Sequence, residues 1–255
     1  MRARFLMMKT ALRFGLWRRA RVGAPAALCA FASAMTLASA LMIAPGAAHA
    51  EVAAADPIDA SMRTCLARAD MSSTIGQVQC MDAARLAWQA SMDQSFQQLL
   101  SKAPDAQRKK WDESQKRWKA WREADGKLLA DILATTRGTS YQLAVADLQL
   151  QPVRDRALAL RAAAMDAGRQ DPKKRPRACS FDAQCEHAMF DLNRYYRRLH
   201  AKLPSHARPV LSRAQRAWTA YRDATVPLMD ARSQVDIIGA RVAQLKRMGD
   251  TAGND

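Results

Sequence analysis

Along the C-terminal four-fifths of the chain, apolar positions recur every three or four residues, the spacing of amphipathic helices. Val78, Met81, Arg85, Trp88, Met92, Phe96 and Leu99 share one such face, interrupted only by Arg85. Pro104 breaks this pattern and suits the first turn of a following helix. Trp111, Ser114, Trp118, Trp121, Asp125, Leu128 and Ile132 then form a seam suited to packing against a partner helix. Gly138 ends that stretch, and a third helix is predicted over 140–164. The scheme then recurs. A helix is predicted over 183–202, and another follows with Ser205 as its N-cap. The second of these presents Leu211, Trp218 and Tyr221. A last helix runs to about Met248, with a frayed tail after Gly249. Pro227 should kink or end the helix that carries Trp218, because proline removes a backbone donor. Gly126 lies one position earlier in the first set, so both sets are expected to weaken at one depth.

The recurrence is an internal repeat. A shift of 100 residues aligns 92–128 with 192–228 without a gap. Ten positions are identical, among them Leu99/Leu199, Pro104/Pro204, Gln115/Gln215, Trp118/Trp218 and Arg122/Arg222. Trp121/Tyr221 and Glu123/Asp223 keep their chemistry. Between the copies, residues 165–177 hold Gly168, Pro172 and Pro176 among five basic side chains, a composition that buries no apolar surface. The sequence therefore predicts an all-α protein. It consists of two tandem small antiparallel bundles of about three helices each (51–164 and 178–255), joined by a basic, proline-containing linker at 165–177.

The first 50 residues differ. Residues 1–21 carry seven basic side chains and no acid, 22–48 carry no charge, and Ala48-His49-Ala50 closes the stretch. That order is a secretory signal, with Glu51 as the first residue after cleavage; the alternative is an uncleaved anchor. The expected location is periplasmic or secreted, with no stable membrane span after cleavage. The remaining 205 residues hold 33 basic and 24 acidic side chains, a net charge of +9. This mild excess, on an exported chain, argues against nucleic acid and for weak attraction to anionic envelope surfaces.

Four cysteines follow the signal: Cys65, Cys80, Cys179 and Cys185. An even count suits disulfides in an oxidising compartment. Three pairings are possible, and the local pairs Cys65–Cys80 and Cys179–Cys185 are the simplest. A metal site of Cys179, Cys185 and His187 fits no common zinc spacing. His187, His200 and His206 form no nucleophile or metal pattern, and no phosphate loop or Ser-centred elbow appears. The expectation is a protein that is not an enzyme and uses no cofactor.

The shared segment reads Gln115-x-x-Trp118-x-x-Trp121-Arg122-Glu123 in the first copy and Gln215-x-x-Trp218-x-x-Tyr221-Arg222-Asp223 in the second. Its aromatic residues supply area to a core. Arg122 and Glu123, being adjacent, should pair with neighbours rather than each other. Together with the early cysteines and the elements Phe96–Leu99 and Tyr196–Leu199, this segment resembles the LprI-type lysozyme-inhibitor-like domain of bacterial envelope proteins. The resemblance implies a secreted, non-enzymatic helical binding module whose partner is a lysozyme-like protein. A scaffold binding wall polymer, anionic lipid or another envelope component is the alternative. Neither copy has the further cysteine usual in that family shortly after the Arg-acid pair.

Overall fold

In the computed structural model, residues 56–167 and 176–253 are described; the signal segment and most of the linker lie outside them. Among the described residues every regular element is helical. The helices are α1 (Pro57–Leu66), α2 (Thr74–Lys102), α3 (Asp105–Leu133), α4 (Ser140–Asp166), α5 (Ala183–Lys202), α6 (Arg208–Thr225) and α7 (Ala231–Thr251). α1 to α4 form the first copy and α5 to α7 the second.

The long helices associate in pairs: α2 against α4, α5 against α7, and α3 against α6. The third pair crosses between the copies, so the two bundles share one core. Every seam residue predicted on α3, from Trp111 to Ile132, is buried. So are Leu211, Trp218 and Tyr221 on α6. On α2 the buried face is Cys80, Ala84, Trp88, Met92, Ser95 and Leu99. Val78, Met81 and Phe96 are only half-buried, so the core lies about one residue to the side of the predicted stripe.

α1 was not anticipated, and it buries no residue fully. Ile58 and Met62 pack against the core while only partly buried, and charge and a covalent bond add to that hold. Asp56 caps its N-terminus and pairs with Arg161 of α4 at 2.7 Å. Asp59 pairs with Arg154 of α4 at 2.7 Å and accepts from Trp88 Nε1 at 3.2 Å. The Cys65–Cys80 disulfide ties α1 to α2. A turn then brings the backbone of Met71 against Gly76, where an added Cβ would lie 2.7 Å from Met71 Cα. Only glycine fits there.

Three local expectations are corrected. Gly126 does not interrupt its helix at the depth where Pro227 does: α3 runs unbroken to Leu133, because an exposed glycine costs a helix only about 1 kcal/mol. Pro227, which lacks the donor, does end α6, and the chain passes through a 3-10 turn before α7. Ser205 is not an N-cap. It lies in a turn, and α6 starts at Arg208 with Pro209 in its first turn. Pro104 sits one place earlier than predicted, capping α3 rather than opening its first turn.

Candidate functional site

The shared segment lies at the junction of the copies. Gln115, Trp118, Trp121, Trp218 and Tyr221 are buried, and Gln215 is half-buried. Trp121 and Tyr221, equivalent in the repeat, stack on each other with centroids 5.3 Å apart and planes within 9°. Arg122 is half-buried, lies over the Trp121 ring at 5.6 Å, and donates to the Gln149 carbonyl. Glu123 is exposed and pairs with Lys127 at 2.9 Å. In the second copy Arg222 lies over Trp218 at 5.3 Å and pairs with the adjacent Asp223 at 2.7 Å, a neighbour contact the first copy lacks.

Two buried arginines flank the aromatic stack, and sequence reading singled out neither. Arg241 of α7 is 1% exposed. It donates to Gln215 of its own copy at 3.2 Å and to Asp125 of the other copy at 2.9 Å. It also lies over Trp121 of the other copy at 5.6 Å. Arg156 of α4 is likewise 1% exposed. It donates to Gln115 of its own copy at 3.0 Å and lies over Tyr221 of the other copy at 5.4 Å. α4 and α7 are thus equivalent, but at a shift of 85 residues instead of 100. Lys102 and Lys202 follow the same rule, reaching the carbonyls of Ala164 and Gly249 near the ends of α4 and α7.

One contact breaks the symmetry. Asp125 meets Arg241, and it also lies 3.7 Å from Arg122. The equivalent residue in the second copy is Thr225, which shares a 2.7 Å hydrogen bond with Ser114. Arg156 donates to that Ser114 at 3.0 Å. It therefore has a hydroxyl relay where Arg241 has a carboxylate. Burial pushes the Arg156 guanidinium pKa down, with the Tyr221 hydroxyl opposing. Burial does the same to Arg122, with Asp125 opposing. Arg156 Nη1, Arg241 Nη2 and Trp121 Nε1 are buried without a hydrogen-bond acceptor.

Over this layer α4 and α7 line a groove of about 830 Å³. Trp121 and Tyr221 form part of its floor with the two arginines, while Pro152, Gly239 and Ala240 lie in its walls. Asp155 and Asp236 also line it. Burial holds the Asp155 carboxyl above its ordinary range, although Arg154 opposes this.

The helical hairpins supply a second kind of feature. The α2–α3 tip turns on buried Ala103 and exposed Pro104, with Asp105 at its apex paired to Arg108. The α5–α6 tip turns on buried Leu203 and Ala207, with Ser205 and His206 exposed. Gly253, beyond α7, donates to Thr135 just past the end of α3, and Lys202 reaches Gly249. The second tip thus sits beside the C-terminal end of α3, opposite to the first. Among the described residues no cluster of His, Cys, Asp and Glu could hold a metal ion. No helix among them is long and apolar enough to cross a membrane. The four cysteines form the two local disulfides, Cys65–Cys80 and Cys179–Cys185.

A family model described as lysozyme inhibitor LprI matches residues 65–160 and again 167–247, one match for each copy. The crystal structure of an uncharacterized protein from Burkholderia thailandensis is 51% identical. It covers 79% of this chain and all of that one, with a TM-score of 0.75. No curated protein matches.

Proposed function

Since the chain belongs to the lysozyme inhibitor LprI family, we propose that it is a periplasmic or secreted, non-enzymatic protein that inhibits a lysozyme-like enzyme by inserting a helical-hairpin tip into its cleft. The family match over both copies carries this reading. Two disulfides suit an oxidising compartment, and the basic-then-apolar N-terminal segment suits export.

The tip at Pro104–Asp105 is the better wedge. Ala103 is packed into the core, and α2 and α3 run 29 residues each, so the tip is held rigidly and loses little freedom on binding. Its apex acid, Asp105, is 85% exposed at the side chain, whereas the other tip carries Lys202, His206 and Arg208. Many lysozymes are strongly cationic. The +9 charge of the exported chain then disfavours long-range steering, and recognition rests on shape and on Asp105 at short range.

The test is lysis of bacterial cell walls by lysozyme in the presence of purified residues 51–255. Inhibition should saturate at micromolar protein. Asp105→Ala should weaken it about tenfold, as expected for an interface hot spot, while Ser205→Ala should leave it intact. Undiminished lysis at micromolar protein would refute the reading.

A further inference from the structure

We propose that the groove between α4 and α7 is a binding site for a small organic monocarboxylate with an apolar or aromatic body, its carboxylate received by Arg156. This goes beyond lysozyme inhibition and does not depend on it.

The symmetry of the core is imperfect at its two buried arginines. A buried guanidinium is costly unless a charge or a full set of acceptors compensates it. Arg241 meets that condition through Asp125, Gln215 and the Gln244 amide oxygen at 2.6 Å. Arg156 occupies the equivalent place and is as deeply buried, but the carboxylate position opposite it holds Thr225. Its acceptors are the neutral Gln115 and Ser114, at 3.0 Å each. The Tyr221 hydroxyl and the rings of Trp111 and Tyr221, with centroids 5.8 Å and 5.4 Å from it, supply the rest. Its Nη1 has no acceptor. Among the described residues Arg156 is thus a core guanidinium with no carboxylate beside it, and it lines the groove.

The groove selects the rest of the ligand. Apolar surface dominates its lining, with Trp118, Trp121 and Tyr221 beneath and Pro152, Gly239 and Ala240 at the sides. A volume of about 830 Å³ lies in the range of pockets that enclose a drug-sized molecule. The Arg247 in its lining already pairs with Asp147. Asp155 and Asp236, also in the lining, repel a second anionic group. One carboxylate on an apolar body satisfies every part of this arrangement, and a dicarboxylate does not.

Tryptophan fluorescence reports on the site directly, since Trp118, Trp121 and Trp218 all line it. Residues 51–255 should be titrated with 4-phenylbutyrate, with its amide, and with phenylsuccinate as a dianion. The carboxylate should bind at least about tenfold more tightly than the amide, the equivalent of one charge-assisted contact, and more tightly than the dianion. Arg156→Met should bring carboxylate and amide to parity, with circular dichroism unchanged, because an apolar side chain of similar length is tolerated where a buried charge stood. Ala240→Trp, on the exposed wall, fills the groove without touching the buried layer, and should abolish binding of all three probes. Equal binding of carboxylate and amide, no response to any probe, or an Ala240→Trp protein that binds as the parent does would each overturn the proposal.

Discussion

Asp125 and Thr225 stand 100 residues apart at the same place in the repeat, yet the first holds the buried Arg241 at 2.9 Å and the second makes only neutral hydrogen bonds, with Ser114 and with the Tyr221 carbonyl, at 2.7 Å each. The duplication has kept the helices and the aromatic contacts while letting the charges diverge. This difference makes the energetics of the two copies unequal and open to measurement.

Asp125→Ala leaves Arg241 charged, buried and without its carboxylate, which costs about 3–5 kcal/mol. Adding Arg241→Met to Asp125→Ala removes the orphaned charge and should recover most of that loss. Thr225→Val deletes one hydroxyl from a neutral relay and should cost about 1 kcal/mol. Urea unfolding of the four proteins gives the comparison. An Asp125→Ala protein no less stable than Thr225→Val would show that the ion pair contributes nothing.

The disulfides differ in the loops they close, of 15 and 6 residues. In the chain-entropy account, replacing Cys65 and Cys80 by serine costs about 3 kcal/mol, and replacing Cys179 and Cys185 costs about 2 kcal/mol. The first loss should also free α1, which has no buried residue of its own. Hydrogen exchange should therefore show α1 amides losing protection in the Cys65/Cys80 variant while α3 amides keep theirs.

Acid sensitivity should centre on Asp59. Its hydrogen bonds from Arg154, foremost, and then the charge of Arg154 and the Trp88 indole, hold its carboxyl below the ordinary range. A carboxyl whose folded pKa is depressed adds stability above its unfolded value of about 3.9. That contribution is lost as pH falls through the lower folded value. Thermal unfolding of Asp59→Asn should show a lower midpoint than the parent at neutral pH, with the gap closing as pH falls below about 4. A gap that stayed constant across that window would remove Asp59 from the account.

The parts of the fold legible in sequence were those written in period. The α3 seam from Trp111 to Ile132 repeats at three and four residues, and all of it is buried, its polar members Ser114 and Asp125 included. α1 is only ten residues long and its stripe of Ile58, Met62 and Cys65 is only partly buried, so the ion pairs of Asp56 and Asp59 and the disulfide supplement it. Gly126 and Pro227 look like equivalent breakers, but only the proline removes a hydrogen-bond donor, and only there does a helix end. The two arginines were hidden for a further reason. They match at a shift of 85 residues, so the 100-residue register that exposes Trp118 and Trp218 passes over them. An arginine within a helix otherwise reads as surface. The stacking of Trp121 on Tyr221 needed the fold itself, since the repeat aligns those residues without saying that they touch.

The duplicated units are halves of one core, joined through α3 and α6. Unfolding of residues 51–255 in urea, followed by tryptophan fluorescence and helical circular dichroism beside the separate pieces 51–167 and 176–255, checks this. One coincident transition is expected for the whole chain and no cooperative transition for either piece, since each piece exposes Trp118 and Trp121 or Trp218 and Tyr221. Two resolved transitions in the whole chain, each reproduced by one isolated piece, would contradict it.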